Sequence, residues 1–251
     1  MPNSVIFKGK IGKFNRVISV SGDKSLSIRW VLLSSLANGI STAKNLLISE
    51  DVLAAINAIK KFGIKSKIYK NECKIFGGGL DGYKYKKKIK INAQNSGTLG
   101  RLILGLLINS PYPIKLIGDK SLSKRDFSRI TVPLSKFGAH FKLKNDKNLP
   151  LTIFGSSRLS PIKFLEKKGS AQCKTSVIFG GMRTNGTTII KAKKSRNHTE
   201  LLCKNLNLPV TVKSKKNYDE IKVKKAKILK PINYNIPSDI SSSSFFIKLG
   251  L

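Results

Sequence analysis

The chain has 251 residues, 40% of them apolar, and 48 Lys and Arg against 13 Asp and Glu, for a formal net charge of +35. That length supports one large domain or two small ones with real cores. The longest apolar stretches, such as Leu102 to Ile108, are far too short to span a bilayer, and the N-terminus lacks a signal peptide's apolar core.

No membrane partner is therefore expected. Cys73, Cys173 and Cys203 lie far apart and outside any metal or redox spacing, so they read as reduced core thiols of a cytoplasmic protein. His140 and His198 are isolated, and a metal site is not expected. The charge attracts polyanions. Yet 40 of the cations are Lys and only 8 are Arg, scattered along the whole chain. Arg is the side chain suited to base edges and bidentate phosphate contacts. Weak, salt-sensitive polyanion binding is expected, and specific nucleic-acid recognition is not.

In chain order, Val5, Phe7, Ile11, Phe14, Val17 and Ile18 alternate as a strand does. Residues 21–29, Ser-Gly-Asp-Lys-Ser-Leu-Ser-Ile-Arg, begin as a small-residue turn. An Asp and an apolar helical pattern through Ile28, Trp30, Val31, Leu32 and Leu33 follow. Lys24 and Ser25 thus fall at a helix N-terminus, where free N–H groups and the positive dipole end gather. Arg29, a little over one turn on, can reach back to the same end. A Lys, a hydroxyl, an Arg and free amides fit a phosphate or carboxylate. They equally fit a capped helix with two solvated cations.

The first helix runs through Leu36. A strand from Thr42 to Ile48, a helix from Asp51 to Phe62 stopped at Gly63, and strands Ser66–Tyr69 and Cys73–Phe76 follow. The same order recurs with a helix from Asn95-Ser96-Gly97-Thr98 to Ile108, a strand Ile114–Ile117 and a helix Asp126–Phe137 before Gly138. It recurs again with Gly169-Ser170-Ala171-Gln172 to Met182, Thr187–Lys191 and His198–Leu206 before Pro209. Landmarks repeat at 71 residues (Ser25 to Ser96), 74 (Ser96 to Ser170) and 75 (Gly63 to Gly138). The expected fold is α/β, a pseudo-threefold lobe of three β-α-β-α-β-β repeats. Such symmetry brings the three first-helix N-termini to one end, with Lys24, Ser25, Ser96, Gly97, Ser170 and Gln172. Arg101, Arg125 and Arg196 stand in support.

Six stretches then occur in order: SGDKSLSIR (21–29), NSGTLGR (95–101), GDKSLSKR (118–125), GSAQCKT (169–175), SRNHTE (195–200) and IPSDISSSSFF (236–246). In these the chain resembles the 5-enolpyruvylshikimate-3-phosphate synthases. The sister family, which transfers enolpyruvate to UDP-N-acetylglucosamine, typically has Asn where Ser25 stands and lacks the SLSKR stretch. A non-catalytic lobe binding anions or nucleic acid is the alternative from another class.

The resemblance implies an inverse α/β barrel of two lobes. Residues 20–231 would form the lobe that holds shikimate 3-phosphate, with repeats at about 20–77, 88–154 and 161–224. Residues 1–19 and 232–251 would belong to the second lobe, whose remainder is not in this sequence. The chain is thus expected to be a fragment. The implied reaction is a transfer step of aromatic amino-acid biosynthesis. It joins the 5-hydroxyl of shikimate 3-phosphate to carbon 2 of phosphoenolpyruvate, with loss of phosphate and no cofactor. By resemblance, Lys24 is catalytic and touches both substrates. Ser25, Arg29, Ser170, Gln172, Ser195 and Arg196 hold shikimate 3-phosphate, Arg29 at its carboxylate. Gly97, Arg125 and Gln172 meet phosphoenolpyruvate, and Asn95, Thr98 and Arg101 support that loop. Gly97 is expected to leave space beside the ligand, and Gly at this position implies sensitivity to glyphosate. The family's acid/base carboxylates have no match here, so the chain alone is expected to bind weakly without turnover. A full-length protein is expected to be a monomer.

Overall fold

The computed structural model describes residues 17–249, arranged as three four-stranded sheets around three inner helices. The inner helices are α1 (Lys24–Ser35), α3 (Gly97–Leu106) and α6 (Ala171–Gly181). Their apolar and small residues run around the whole circumference. All of Leu26–Ser35, Gly97–Leu106 and Cys173–Gly181 are buried accordingly. The outer helices α2 (Glu50–Lys60), α5 (Ser128–Ser135) and α7 (His198–Asn205) are buried on one side only. In α2 that side is Val52, Ala55, Ile56 and Ile59.

The sheets share one plan. In the second, β4 (Ile89–Asn92) pairs parallel with β5 (Ile114–Ile117). Next come β7 (Asn148–Phe154) and β6 (His140–Lys144), both antiparallel to their neighbours. The third repeats this with β8 (Lys163–Glu166), β9 (Thr187–Lys193), β11 (Tyr218–Lys224) and β10 (Val210–Ser214). The first contains β1 (Asn38–Lys44), β3 (Glu72–Gly78) and β2 (Lys65–Tyr69). Its parallel edge strand comes from far along the chain: β12 (Asn233–Asn235) pairs with β1 in the register Thr42↔Asn233, Ala43↔Tyr234, Lys44↔Asn235.

That pairing corrects the expected boundary at residue 231, because β12 completes the first repeat. The chain entering α1 also lies against the chain leaving β12. Asp23 N donates to Pro237 O (2.8 Å), Asp239 N to Ser21 O (3.0 Å) and Ser238 Oγ to Val20 O (3.1 Å). Gly22 permits the approach: a Cβ there would lie 2.9 Å from Ile236 Cγ2, and 2.0 Å from Asn45 O at the end of β1. Beyond the crossing, α8 (Ile240–Leu249) leaves Ile240 and Phe245 exposed. The expected N-terminal strand lies mostly outside the described residues, and Val17 and Ile18 are in no strand.

Other boundaries differ for local reasons. Strand β1 starts at Asn38, four residues early, because Asn38 and Gly39 pair with Gly78 and Gly77. It ends before Asn45, which takes φ 54°. The helix expected from Asp126 starts at Ser128, since the Asp126 carboxylate accepts from Ser128 N (2.7 Å) and Oγ (2.6 Å) in a turn. Pro133 inside α5 has no N–H, which frees the Arg129 carbonyl to accept from the Cys173 thiol at 3.1 Å. A short helix, α4 (Lys120–Ser123), precedes α5.

Arg183, just past α6, ties the three repeats together at their far end. It donates to Leu80 O (2.6 Å), Asp81 Oδ1 (2.9 Å) and Asn109 Oδ1 (3.2 Å). All three cysteines are buried, and burial pushes Cys73 up to about 11 and Cys173 and Cys203 up to about 12. Among the described residues no helix is long and apolar enough to cross a membrane. Among the same residues no cluster of three His, Cys, Asp or Glu side chains could hold a metal ion.

Helices α3 and α6 approach closely at Gly105, where a Cβ would lie 2.1 Å from Ser176 O. Backbone on both sides leaves no cheap relief. Gly105→Ala is expected to cost about 1–3 kcal/mol and lower Tm by several degrees in a calorimetric melt.

Candidate active site

Each inner helix is capped by a short polar side chain. The Asp23 carboxylate accepts from Leu26 N (2.7 Å), Ser96 Oγ from Leu99 N (3.3 Å) and Ser170 Oγ from Cys173 N (3.2 Å). An open cleft of about 570 Å³ lies where α1, α3 and α6 begin. Lys24, Asp51, Asn95, Gly97, Thr98, Arg125 and Gln172 line it. Three converging helix N-termini and two exposed cations make this end of the lobe attractive to anions.

Hydrogen bonds set the cleft's geometry. Lys24 Nζ lies 2.8 Å from Asp51 Oδ2, a half-exposed pair whose value is orientation more than stability. Arg125 Nη2 donates to Asn95 Oδ1 at 3.0 Å. Arg101 Nη1 donates to Gln172 Oε1 at 2.7 Å, and Gln172 Nε2 donates to Thr98 Oγ1 at 3.0 Å. Arg can only donate, so the amide of Gln172 must turn its oxygen toward Arg101. Arg101 is buried, with its guanidinium over the Phe127 ring at 5.3 Å. Burial, helped by Arg129 and Arg125, lowers it to about 10, so it stays charged at neutral pH. A Cβ at Gly97 would meet Arg101 Nη1 at 2.8 Å and Arg125 Nη1 at 3.0 Å. The glycine therefore makes room first for two guanidiniums.

Arg29 lies behind the cleft and is only 3% exposed. Its Nε donates to Thr199 Oγ1 (2.7 Å), Nη1 to the Ser25 carbonyl (2.9 Å) and Nη2 to Thr175 Oγ1 (3.2 Å). Burial lowers it to about 10 against the opposing pull of Glu200 and Asp23. Ser25 itself is half-buried beside Lys24.

The structure does not bring every expected residue to this cleft. Ser170 lies along a groove with Arg129 and Cys173. Ser195 lines a separate groove of about 590 Å³ between α7 and β10, with its hydroxyl buried and unpartnered among the described residues. Arg196 is exposed and reaches Ser241 Oγ at 3.5 Å.

Two features were not expected from the sequence. Asp51 faces Lys24 from the first turn of α2. Its signal was available in the repeat, since Asp126 stands at the matching point before α5. The other is an ion pair between Lys174, fully buried on α6, and Glu200 on α7. A Lys in the middle of an apolar, small-residue helix was the only hint.

A protein-family model described as EPSP synthase (3-phosphoshikimate 1-carboxyvinyltransferase) matches residues 9–251. The chain belongs to the EPSP synthase family. The 3-phosphoshikimate 1-carboxyvinyltransferase of Caldicellulosiruptor bescii is 39% identical over 241 residues, which are 95% of this chain and 55% of the relative. That of Streptococcus mutans is 37% identical, over 93% of this chain and 54% of the relative. The solved EPSP synthase of Acinetobacter baumannii superposes with a TM-score of 0.84 at 32% identity, over 92% of this chain and 51% of that one. The chain thus spans about half the length of the EPSP synthases it matches. The matching family is the one its six motifs resemble.

His198 Nδ1 stands 4.0 Å from Oδ1 of Asp23, the carboxylate that caps α1. Burial holds its pKa below the ordinary 6.5. Arg29 and Arg196 push the same way, against Asp23 and Glu200. The unfolded chain therefore takes up this proton first. The stability tied to this group is complete above pH 6.5 and falls as the pH drops through the lower folded value. His198→Gln is expected to flatten that acid limb in denaturant unfolding measured on either side of pH 6.5.

Proposed function

We propose that this chain forms the shikimate 3-phosphate-binding half of an enolpyruvyl transferase, in which the 5-hydroxyl of that substrate joins carbon 2 of phosphoenolpyruvate as phosphate leaves. The convergence of Lys24, Gly97, Arg125 and Gln172 on one cleft, in a chain of this family, carries the reading. Both substrates are anions bearing phosphate and carboxylate groups. Preorganised cations and amides are what such chemistry requires, because they stabilise developing charge without moving.

In this reading Lys24 lies between the two substrates, oriented by Asp51. Arg125 grips phosphoenolpyruvate with its planar fork, held open by Asn95. Gln172, locked between Arg101 and Thr98, contacts both ligands. Ser25 and Arg29 hold shikimate 3-phosphate, and Ser170, Ser195 and Arg196 are the residues that the resemblance assigns to its phosphate. The proton-transfer groups belong to the half of the relatives' length that this chain does not span.

Isothermal titration of the 251-residue chain with shikimate 3-phosphate is expected to give measurable heat, and no heat at millimolar ligand would overturn the reading. Lys24→Ala is expected to weaken that binding by about 1.5–3 kcal/mol, roughly tenfold or more, the worth of a charge-assisted hydrogen bond. In a phosphate-release assay the chain by itself is expected to show no turnover.

Gly97→Ala pushes on the Arg101 and Arg125 guanidiniums, which are flexible tips rather than backbone. In the complete enzyme this substitution is expected to raise KM for phosphoenolpyruvate and to weaken glyphosate inhibition together. Inhibition unchanged by Gly97→Ala would show that the crowding is not felt at the ligand.

A further inference from the structure

Arg29 is anchored in an unusual way for a nearly buried guanidinium. Its partners are a carbonyl and two hydroxyls, with no carboxylate among them. Thr175 Oγ1 and Thr199 Oγ1 lie 2.6 Å apart and together receive Nη2 and Nε. Two oxygens at that spacing meet the side edge of a guanidinium much as a carboxylate does.

The protons in this cluster can be placed. Each hydroxyl has one proton to give. The Thr175 hydroxyl lies 2.7 Å from the Ala171 carbonyl, an acceptor that cannot reciprocate. Thr175 therefore donates there, and Thr199 must donate to Thr175. Thr175 then accepts from both Thr199 and Arg29 Nη2, and Thr199 accepts from Arg29 Nε. The chain of bonds runs from α1 through α7 to the backbone of α6 with one direction only.

The nearby acids are engaged elsewhere. Glu200 is held by Lys174, and Asp23 caps α1 while facing His198. Arg29 thus keeps a full positive charge with a fixed orientation. Three of its five N–H groups are used, which leaves one on Nη1 and one on Nη2 without a partner among the described residues. With 3% of its surface exposed, Arg29 can offer a ligand little else.

We infer that Thr175 and Thr199 are positioning residues: a neutral oxygen fork that orients Arg29 to bind the carboxylate of shikimate 3-phosphate without cancelling its charge. This rests on the substrate assignment proposed above and adds the residues that make the carboxylate readable. A carboxylate in place of the two hydroxyls would orient the guanidinium equally well but would compete with the ligand. Arg29 without the fork would keep its charge but lose its aim.

The test compares shikimate 3-phosphate with its carboxyl methyl ester by isothermal titration, using wild type, Thr199→Val and Thr199→Ser. Thr199→Val keeps the side chain's shape and removes the hydroxyl. It is expected to weaken binding of the acid by roughly tenfold or more and to leave the ester's affinity nearly unchanged. Thr199→Ser is expected to restore most of the preference for the acid. Equal weakening of both ligands, or of neither, would overturn the positioning role while wild-type binding upheld the substrate assignment. Absence of wild-type binding would overturn both. Should Thr199→Val fail to fold, the arginine Nε–H resonances of wild type and Thr199→Ser decide. Slow exchange of the Arg29 Nε–H in both supports the fork, and exchange as fast as an exposed arginine's overturns it.

Discussion

Burial of α1, α3 and α6 on every side is the constraint from which the rest of this lobe follows. A helix with no polar face cannot lie on a surface, so each must be wrapped by its own sheet and by the other two helices. Three copies of one sheet plan do the wrapping. The helices must approach closely, which is why Gly105 faces the backbone of α6. Once they run together, their N-termini share one end. Their capping residues, dipoles and first-turn side chains then form a site no single repeat could make. At the opposite end Arg183 joins the loops of all three repeats.

Burial of the helices also decides how charge is handled. Polar side chains inside the bundle are held in specific partnerships: Arg29 with two threonines, Lys174 with Glu200, Ser176 Oγ with the Arg101 carbonyl. An unpaired charge there would cost several kcal/mol, and the Arg29 and Ser176 hydrogen bonds and the Lys174–Glu200 ion pair offset that cost. These partnerships reach the cleft through Arg101, which fixes Gln172, and through Ser25, whose carbonyl is tied to Arg29. The cleft's outer cations, Lys24 and Arg125, are oriented by Asp51 and Asn95 and remain open to solvent. Most of the other cations of the described residues are exposed Lys, which contribute a field more than a particular geometry.

Much was legible in the chain itself. Three inner helices, three outer helices and most strands could be read from apolar periodicity and from Gly or Pro stops, because those patterns reflect local backbone chemistry. The repeat could be read because landmarks recur at 71–75 residues. The phosphate-scale character of the Lys24 segment was visible for the same reason, as a cap, a cation and free amides at one helix start. Helix ends were less certain: Asp126 forms a turn by binding Ser128, and Asn45 ends β1 through its φ of 54°.

What the sequence determined by itself was therefore the elements, their threefold order and the cation-bearing helix starts, all fixed by neighbours within a few positions. Tertiary structure alone decided that β12 completes the first sheet, since a strand pair separated by 191 residues leaves no local mark. It alone set Asp51 against Lys24, Lys174 against Glu200, and Thr175 and Thr199 around Arg29. Those contacts depend on how helices from different repeats cross, and a hydroxyl on a helix looks the same in sequence whether it meets water or a guanidinium. The same packing put Ser195 in a separate groove and Arg196 against Ser241, so that neither lines the cleft that Lys24 opens onto.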